Sequence, residues 1–363
     1  MKTLALFLTY GTSLADWERN GSLDREENIY ARLAPDFDMV YLLTYGPDDA
    51  RYADRFPGNV VILPKKIGIP NAPYSLLIPF LYRKELRSCD WLKTNQMLGS
   101  WSAVLAKRLY GKKLLLRTGY TESLSSIGKD FFKRRMVDLI ERIAYRNADI
   151  SIVTSEHQKE YITKRYRAHD IRVIPNGIDT MLFRPLDRKT AKEKLTFLFV
   201  GRLHLEKNLL ALLEAMKDIP DIRLRIVGKG PLEKDVRISA ERNGIDLELI
   251  PSVPNTELPA IYNDADIYIQ PSLYEGNPKT ILEAMSCGLP IIATDVPGIN
   301  SVIRHGKNGY LCGTDPQSIR EAITNARNDR STMKQIGLNA RTCIENLYEL
   351  KKIMAAELDL YYR

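Results

Sequence analysis

Residues 195–208 read Leu-Thr-Phe-Leu-Phe-Val-Gly-Arg-Leu-His-Leu-Glu-Lys-Asn, an apolar run that ends in a glycine turn and leads into a helical pattern. An uncharged, mostly apolar run of this length is typical of a strand that is buried on both faces of a parallel sheet. Arg202 and Lys207 follow the carboxyl end of this strand, which is where ligands of open α/β sheets bind. Both side chains can reach a phosphate group there, although such a pair elsewhere is usually surface charge.

Short apolar runs of this kind alternate with longer helical patterns along the chain. We predict strands in the first half at 4–9, 39–44, 60–63, 113–117, 150–154 and 171–174, and in the second half at 195–200, 223–227, 247–250, 268–270 and 290–294. Predicted helices lie between them, for example at 131–146, 156–166, 209–218 and 231–243. This alternation predicts an α/β fold of two Rossmann-like domains with parallel sheets. We place the domains at 1–175 and 176–345, and a final helix at 346–363 that packs back on the first domain.

The charge of the chain is unevenly distributed. Its 363 residues, 44% of them hydrophobic, exclude disorder of the whole chain, and 53 basic against 45 acidic residues give a net charge of +8. Residues 51–175 contain 24 basic and 11 acidic side chains, whereas residues 176–363 contain 25 of each. A basic surplus indicates a nucleic acid, an anionic membrane surface, a phosphorylated substrate, or only a solvated surface.

The cysteines and the apolar stretches bear on the compartment. The four cysteines are far apart and form no CxxC pair, which argues against zinc and disulfides and favours a reducing compartment. The apolar start at 4–8 is short and lacks a small-residue cleavage pattern, so we expect a buried strand there rather than a secretion signal. Since no apolar stretch reaches the roughly 20 residues of a membrane span, we expect a soluble or peripheral protein.

A second strand-to-helix turn lies at 271–290, which reads Pro-Ser-Leu-Tyr-Glu-Gly-Asn-Pro-Lys-Thr-Ile-Leu-Glu-Ala-Met-Ser-Cys-Gly-Leu-Pro. We expect the helix to begin with Asn277 as its N-cap and Pro278 at its first position. Backbone N–H groups at such a turn form an anion site. Glu275 in the turn and Glu283 in the helix can bind two parts of one ligand, although each alone is more often a loop acid or a buried partner.

The motifs in this order resemble a known family. Gly-Arg-Leu-x-x-x-Lys, a strand ending in Val227-Gly228-Lys229-Gly230, two glutamates eight positions apart, Glu-Ala-Met-x-x-Gly-x-Pro and Asn308-Gly309 resemble the retaining glycosyltransferases of family 4, glycosyl transferases group 1. The resemblance is strong over 195–315, moderate at 174–179 and weaker over 1–170. It implies the GT-B fold, in which two parallel sheets face a central cleft. It also implies transfer of a hexose-type sugar, with retention, from a UDP- or GDP-sugar to a glycan or a lipid-linked acceptor.

The resemblance also implies roles for individual residues. Arg202 and Lys207 would bind the donor diphosphate and Glu275 would contact the donor sugar, which makes these three the candidate catalytic residues. Glu283 would hold the ribose hydroxyls. The remaining implied donor-binding positions are Gly276, Asn277 and Pro278 in the turn, Val253 beside the base, and Gly21 with Ser22 in a glycine loop of the first domain, for which Gly11 is the competing assignment.

The first domain departs from the family pattern in one respect. Many relatives have a histidine after a middle strand, whereas the matching strand here ends in Arg117 and Thr118, and none of the four histidines lies there. A histidine base is therefore not available at this point. Arg117 would bind a phosphate or the acceptor, or would pair with a carboxylate at the strand end.

We expect neither a metal nor another cofactor. Asp36 with Asp38 and Asp264 with Asp266 have the DxD spacing, but both pairs fall in predicted connections between elements. Fixed cations and a helix N-terminus can stabilise a leaving diphosphate without a metal ion.

The basic surplus lies in the half that would meet the acceptor. Residues 129–146 form a predicted basic amphipathic helix, and 74–86 combine an apolar run with basic residues. These segments indicate docking on an anionic membrane, or a helix that packs its apolar stripe on the sheet. We therefore expect a cytoplasmic enzyme, peripheral on the inner face of the membrane, that acts in cell-surface polysaccharide or glycolipid synthesis.

The sequence also bears on four other functions. A nicotinamide-dependent oxidoreductase would have Gly-x-Gly-x-x-Gly after its first strand, which is missing here. No nucleic-acid-binding module is recognisable, so no nucleic-acid partner is expected. A nucleotide-sugar epimerase of the same fold and a non-catalytic binding protein remain as alternatives.

Overall fold

The structure, a computed structural model, describes residues 2–119, 121, 123, 131–186 and 193–362. Residues 129 and 130 of the predicted basic helix lie outside the described residues. The chain divides into two compact units, one of Met1–Pro175 with Met354–Arg363 and the other of Asn176–Ile353. Each unit is a parallel sheet covered by helices, the α/β class that the alternation of strands and helices predicts.

Strands and helices alternate through both units. The strands are β1 (Lys2–Phe7), β2 (Phe37–Leu43), β3 (Val60–Leu63), β4 (Trp91–Thr94), β5 (Lys113–Arg117), β6 (Ile150–Val153), β7 (Ile171–Val173), β8 (Leu195–Val200), β9 (Ile222–Val227), β10 (Leu247–Ile250), β11 (Ile267–Gln270), β12 (Ile291–Thr294) and β13 (Tyr310–Cys312). The helices are α1 (Leu14–Arg19), α2 (Leu23–Leu33), α3 (Asn71–Leu81), α4 (Arg83–Ser88), α5 (Ser100–Tyr110), α6 (Phe131–Asn147), α7 (Glu156–Tyr166), α8 (Leu209–Met216), α9 (Glu233–Arg242), α10 (Leu258–Asn263), α11 (Lys279–Ser286), α12 (Pro316–Asn328), α13 (Arg330–Leu347) and α14 (Leu350–Tyr362).

The first six strands of each unit are arranged in the same order, and the first sheet has β7 in addition. The order is β3-β2-β1-β4-β5-β6-β7 in the first unit and β10-β9-β8-β11-β12-β13 in the second, with parallel pairing throughout. In each sheet the direction of strand addition reverses beside the unit's first strand. The reversal makes β8 and β11 neighbours, and their carboxyl ends flank the crevice where sheets of this kind bind ligands.

Each sheet is covered on both faces. In the first unit α3, α5, α6 and α7 share one buried core on one face of the sheet. Tyr361 of α14 packs on the opposite face, where its ring meets those of Phe37 and Trp91 edge-on. In the second unit α8, α9 and α12 cover one face of the sheet, and α10, α11 and α13 cover the other.

The predicted strands are confirmed to within two residues, but two strands were missed. One is β4, which is only four residues long and contains Lys93, so its pattern is not continuously apolar. The other is the three-residue β13 at the edge of the second sheet. The helical pattern at the end of the chain is interrupted, because α13 ends at Leu347 and a bridge between Ile178 and Glu349 precedes α14.

A buried ion triad joins α14 to the first sheet. The carboxylate of Glu357 pairs with the ammonium group of Lys93 and, at 2.8 Å, with the guanidinium group of Arg117. Burial raises the pKa of Glu357, but the two cations outweigh it and hold this pKa below its ordinary value. The paired charges also offset part of the hydration that each buried ion loses when it leaves water. Two roles were predicted for Arg117, namely binding a phosphate or the acceptor, and pairing with a carboxylate. The structure shows the pairing with a carboxylate.

We expect Glu357→Gln to lower the free energy of unfolding of the full chain by about 3 kcal/mol at neutral pH, because it leaves two buried cations without a carboxylate. Urea denaturation followed by circular dichroism measures this. Since the native pKa of Glu357 is lowered, its contribution is present above the ordinary pKa of 4.5 and is lost as the pH falls through the native value. The difference from wild type should therefore shrink in acid.

The matched control is Glu345→Gln, which removes a half-exposed carboxylate paired with Arg341 on the same helix. Its expected effect is about 0.5 kcal/mol, because exposed pairs of this spacing contribute little. Equal destabilisation by the two variants at neutral pH would contradict the proposed importance of the triad.

Candidate active site

The loops that follow β8 and β11 lie against each other in the second unit. The N–H of Leu273 donates to the carbonyl of Glu206 at 2.8 Å, so the two loops are joined through their backbones. Glu206 lies in a short 3-10 helix, Leu205–Lys207, that follows the glycine turn. This contact brings the Arg202–Lys207 turn and the turn that contains Glu275 to one edge of the sheet.

Glu275 and Lys207 form an ion pair at this edge. The ammonium Nζ of Lys207 donates to Oε1 of Glu275 at 2.6 Å, and both side chains are largely buried. The same oxygen accepts from Nε2 of Gln270 and from the Ser272 hydroxyl, each at 2.8 Å. Among the described residues no contact is found for Oε2, the other oxygen of Glu275. The carboxylate is therefore held through one oxygen and has the other available as an acceptor.

The orientation of the Gln270 amide follows from a tyrosine beneath it. The hydroxyl of Tyr268 lies 2.6 Å from Oε1 of Gln270. A neutral phenol donates to this oxygen, so the NH₂ group of Gln270 must face Ser272 and Glu275. Burial keeps the phenol neutral by raising the pKa of Tyr268 well above its ordinary value. The donors are thus aligned in one direction, from the core of the sheet toward Glu275.

Arg202 and His204 share the carboxylate of Glu206. The guanidinium of Arg202 lies 3.6 Å from Glu206, and its side chain is 80% exposed. His204 contacts the other oxygen of Glu206 through Nδ1. Burial alone would raise the pKa of Glu206. Hydrogen bonds and the neighbouring His204 and Arg202 lower it by more than burial raises it, so the pKa of Glu206 lies below its ordinary value. Arg202 is therefore loosely held beside the more rigid Lys207.

The turn before α11 differs from the prediction in its cap. The helix begins at Lys279 and Pro278 is its N-cap residue, so the prediction that Asn277 is the N-cap is wrong. The side chain of Asn277 instead accepts from the backbone N–H of Asn176 at 2.9 Å, and the Asn176 amide donates to the carbonyl of Asn277 at 2.7 Å. This exchange fastens residues 276–278 to the start of the second unit and aims the amino end of α11 at the sheet edge.

Gly298 lies directly against the turn that contains Glu275. Its φ is +87°, and a Cβ atom there would lie 2.3 Å from the carbonyl oxygens of both Glu275 and Gly276. Real Cβ atoms do not approach oxygen this closely, so only glycine allows the present position of the turn.

Glu283 and Val253 are the remaining residues of the second unit that are predicted to bind the donor. Glu283 is almost fully buried on α11, and one of its carboxylate oxygens accepts from the Tyr262 hydroxyl at 2.9 Å. Burial and the charge of Glu283 raise the pKa of Tyr262 well above its ordinary value, which keeps this phenol a donor. Val253 follows the carboxyl end of β10, two strands away from β8.

The predicted residues of the first unit are not brought together. Gly11 lies in the loop between β1 and α1, at the carboxyl end of the first sheet's switch-point strand. Gly21 and Ser22 follow α1 instead, so they do not occupy a strand-to-helix turn, and the hydroxyl of Ser22 donates to the carbonyl of Trp17. Arg117 belongs to the ion triad, and Thr118 is fully buried.

The prediction that both DxD pairs fall in connections is confirmed for Asp264 and Asp266, which lie between α10 and β11, and is wrong for Asp38, which lies in β2. Asp266 accepts from the backbone N–H of Thr196 at 2.9 Å, and Asp264 pairs with Arg225 at 2.7 Å. Asp36 ends a 3-10 helix and Asp38 lies in β2. Within the described ranges no group of three or more His, Cys, Asp or Glu residues is arranged to hold a metal ion.

Comparison with solved structures identifies the fold. The chain superposes on sucrose-phosphate synthase from Thermosynechococcus elongatus with a TM-score of 0.85 and 20% identity, covering 100% of this chain and 98% of that one. HepE from Anabaena, solved with UDP and glucose, gives a TM-score of 0.78 and 19% identity over the whole of both chains. With two Rossmann-like units, the protein has the GT-B fold of glycosyltransferases.

Sequence comparison identifies the family. Residues 28–182 match the model of Glycosyltransferase Family 4, and residues 185–342 match that of Glycosyl transferases group 1. An Escherichia coli UDP-Gal:alpha-D-GlcNAc-diphosphoundecaprenol alpha-1,3-galactosyltransferase is 29% identical over 71% of each chain. The Arabidopsis thaliana sulfoquinovosyl transferase SQD2 is 30% identical over 56% of this chain, which corresponds to 42% of its own length. The chain belongs to the family 4 glycosyltransferases and is a glycosyltransferase.

Sequence reasoning missed five residues of the site: Tyr262, Gln270 and Ser272, which donate to the two glutamates; Asn176, which fastens the turn; and Gly298, which allows it. Gln270 and Ser272 lie three to five positions before Glu275, so only their place at a strand end could have indicated them. The other three lie outside the two quoted turns and make contact only through the folded sheet.

We expect Gly298→Ala to lower sugar transfer roughly a hundredfold, because displacement of a reacting group by about 1 Å can cost that much. The matched control is Gly306→Ala. Gly306 also has a left-handed φ, of +72°, but nothing lies within 4 Å of an added Cβ. Both variants should lose stability from backbone strain, and Gly298→Ala should lose more because its Cβ also meets two backbone carbonyl oxygens, as thermal melting measures. Similar losses of activity in the two would show that the turn does not depend on the space at Gly298.

We expect Gln270→Leu to lower kcat/KM for the donor by roughly tenfold to a hundredfold, since Glu275 loses a charge-assisted hydrogen bond. The control is Gln335→Leu, which removes an exposed amide on α13. Steady-state kinetics together with melting temperatures separate a positioning effect from unfolding. Unchanged kinetics in Gln270→Leu would rule out this network as the support of Glu275.

Proposed function

We propose that the protein transfers a hexose-type sugar from a nucleoside-diphosphate sugar to a glycan or lipid-linked acceptor, with retention of the anomeric configuration. The observation that carries the proposal is the Lys207–Glu275 pair at the switch point between β8 and β11. An ammonium group and an oriented carboxylate stand side by side there, beside the exposed guanidinium of Arg202. A diphosphate joined to a polyhydroxylated sugar needs this combination of donors and acceptors.

The chemistry follows from the charge that develops during the reaction. As the anomeric bond breaks, the leaving diphosphate gains negative charge, which Lys207, Arg202 and the amino end of α11 would stabilise. Lys207 has three N–H donors, and one of them is used by Glu275, so the ammonium can bind a phosphate oxygen without leaving its partner. The backbone of Gly276 and Asn277, with Pro278, would border the phosphate or the sugar.

The two glutamates would act on different parts of the donor. Glu275, through its available Oε2, would accept a hydrogen bond from a sugar hydroxyl. Glu283, held by Tyr262 on α11, would meet the ribose hydroxyls, and Val253 would contact the base. No residue of the first unit is given a catalytic role, and the acceptor role proposed for Arg117 and Thr118 is not pursued, because one is committed to an ion triad and the other is buried.

The relatives favour a UDP-sugar and a lipid-linked acceptor. The name of the E. coli relative specifies a UDP-galactose donor and a diphosphoundecaprenol-linked acceptor, and the HepE structure contains UDP and glucose. We accordingly place the reaction in cell-surface polysaccharide or glycolipid synthesis, with the enzyme in the cytoplasm and peripheral on the inner face of the membrane. Neither a metal ion nor another cofactor is part of the proposal.

A donor panel tests the proposal. The purified full chain is incubated with radiolabelled UDP- and GDP-hexoses and a polyprenyl-diphosphate-linked sugar as acceptor. We expect label to reach the acceptor from a UDP-hexose, with an unchanged rate when a chelator is added, and nuclear magnetic resonance should show the donor's anomeric configuration in the product. Interconversion of free donors would indicate an epimerase, and inverted product would refute retention.

Single substitutions test the assigned roles. We expect Lys207→Ala and Glu275→Gln each to lower kcat at least about a hundredfold, the scale of losing one preorganised electrostatic contact in an active site. Lys217→Ala and Glu214→Gln are the controls, since both side chains are exposed on or just after α8. Transfer at the wild-type rate by Lys207→Ala would remove Lys207 from the catalytic set.

A further inference from the structure

Helix α6 of the first unit has an apolar stripe on its exposed side. Phe132, Met136, Leu139 and Ile143 are all exposed, and Phe132 and Leu139 are 81% and 55% accessible. At about 100° per residue these four positions fall within a sector of about 60°. We call them the α6 stripe. An ordinary amphipathic helix on a sheet buries such a stripe, so its exposure needs an explanation.

The orientation of α6 is fixed from its opposite side. Glu141, Ala144 and Tyr145 are buried there. The hydroxyl of Tyr166 on α7 lies 2.8 Å from carboxylate oxygens of both Asp138 and Glu141, and Arg165 donates to Asp138 at 2.8 Å. Burial raises the pKa of Asp138, but these donors and the Arg165 charge hold it below its ordinary value. The helix is therefore anchored by its buried face and cannot turn the α6 stripe inward without breaking these contacts.

A second exposed apolar patch belongs to the same helical layer. Leu76 and Phe80 are one turn apart on α3 and both are exposed. Helix α5 packs against α3 on one side and α6 on the other, and all three share one core. The layer thus covers the sheet with its inner side and presents apolar side chains on its outer side.

Cationic side chains follow the α6 stripe. Arg135, Arg142 and Arg146 are exposed and fall along one edge of the stripe on the helical wheel. Arg135 also lies over the ring of Phe131, 5.3 Å from its centre. Large apolar side chains bordered by arginines are the pattern of a helix that lies in the interface of an anionic bilayer, with its rings among the acyl chains and its cations at the headgroups.

We propose that the α6 stripe and its arginines, together with Leu76 and Phe80, dock the first unit on an anionic lipid bilayer. The charge complementarity selects this occupant: residues 51–175 have the basic surplus of the chain, and the arginines border the stripe. None of the described helices is long and apolar enough to cross a membrane. The purpose of the docking, access to a lipid-linked acceptor, rests on the proposed function, whereas vesicle binding itself does not.

Sedimentation with vesicles tests the surface. The full chain should bind phosphatidylglycerol-containing vesicles at low salt, bind them less at high salt, and bind pure phosphatidylcholine vesicles weakly. Phe132→Ser/Leu139→Ser should lower the partition coefficient at least about tenfold, because two apolar side chains no longer enter the bilayer. The matched control is Met181→Ser/Leu338→Ser in the second unit, where the two side chains are 71% and 54% exposed.

Two further variants make the test specific. Arg135→Gln/Arg146→Gln should weaken binding at low salt and have little effect at high salt. Phe132→Trp should bind like wild type, and on anionic vesicles its fluorescence should shift to shorter wavelength relative to wild type, whose three tryptophans give the background. Circular dichroism melting confirms that each variant is folded.

Three results would overturn the proposal. They are absence of wild-type binding to anionic vesicles at low salt, equal binding by wild type and Phe132→Ser/Leu139→Ser, and a stripe variant that lowers the oligomeric mass while vesicle binding is unchanged. The last result would identify a contact between copies of this chain. Transfer to a water-soluble acceptor should proceed at the wild-type rate in the stripe variant. If wild type also fails to transfer sugar to this acceptor, the proposed function is contradicted, but the vesicle-binding result is not affected.

Discussion

Three hydrogen bonds to one oxygen of Glu275 hold the proposed donor site together, and the one from Lys207 depends on β8 and β11 being neighbours. Lys207 follows one strand, while Gln270 and Ser272 belong to the end of the other. In a sheet built in simple chain order these strands would be separated by β9 and β10. Because the strand order reverses at β8, two turns that are 68 residues apart in the sequence meet across a single carboxylate.

The same arrangement explains what is rigid in the site and what is not. Lys207 is largely buried and tied to Glu275, whereas Arg202 is exposed and only approaches Glu206. A fixed ammonium group costs little reorganisation when the substrate binds, and a long exposed guanidinium can close on a phosphate afterward. The backbone is constrained at the same place, since Gly298 and the Asn176–Asn277 exchange fix the turn from two sides.

Most of the fold was predictable from the sequence, because buried parallel strands have continuous apolar runs. The exceptions have a common physical cause. Strand β4 was missed because Lys93 interrupts its pattern, and the lysine is tolerated there only because Glu357 lies 264 positions away in sequence yet beside it in space. The cap of α11 was misassigned because Asn277 has a better partner in Asn176. In both cases a distant polar partner overrides the local preference.

The candidate site shows the same limit at the level of single residues. The charged residues were found because cations and carboxylates at strand ends stand out against apolar surroundings. Gln270, Ser272 and Gly298 are unremarkable in the sequence, since a glutamine, a serine and a glycine occur in many loops. Their importance comes from direction and clearance, namely which way an amide faces and how close two backbones pass, and both are set only when the sheet has formed.

Helix α6 of the first unit exposes an apolar stripe that an amphipathic helix on a sheet ordinarily buries. The basic surplus predicted a surface for an anionic partner, and the alternative was a helix that buries its apolar stripe. Helix α6 does not follow that alternative, because Glu141, Ala144 and Tyr145 face the sheet while the α6 stripe faces outward. The carboxylate of the buried Glu141 is bound by Tyr166 and Ser123. A core that uses polar contacts to hold a helix by its less apolar side leaves the more apolar side exposed, and that inversion is the physical basis for assigning this face to a lipid surface.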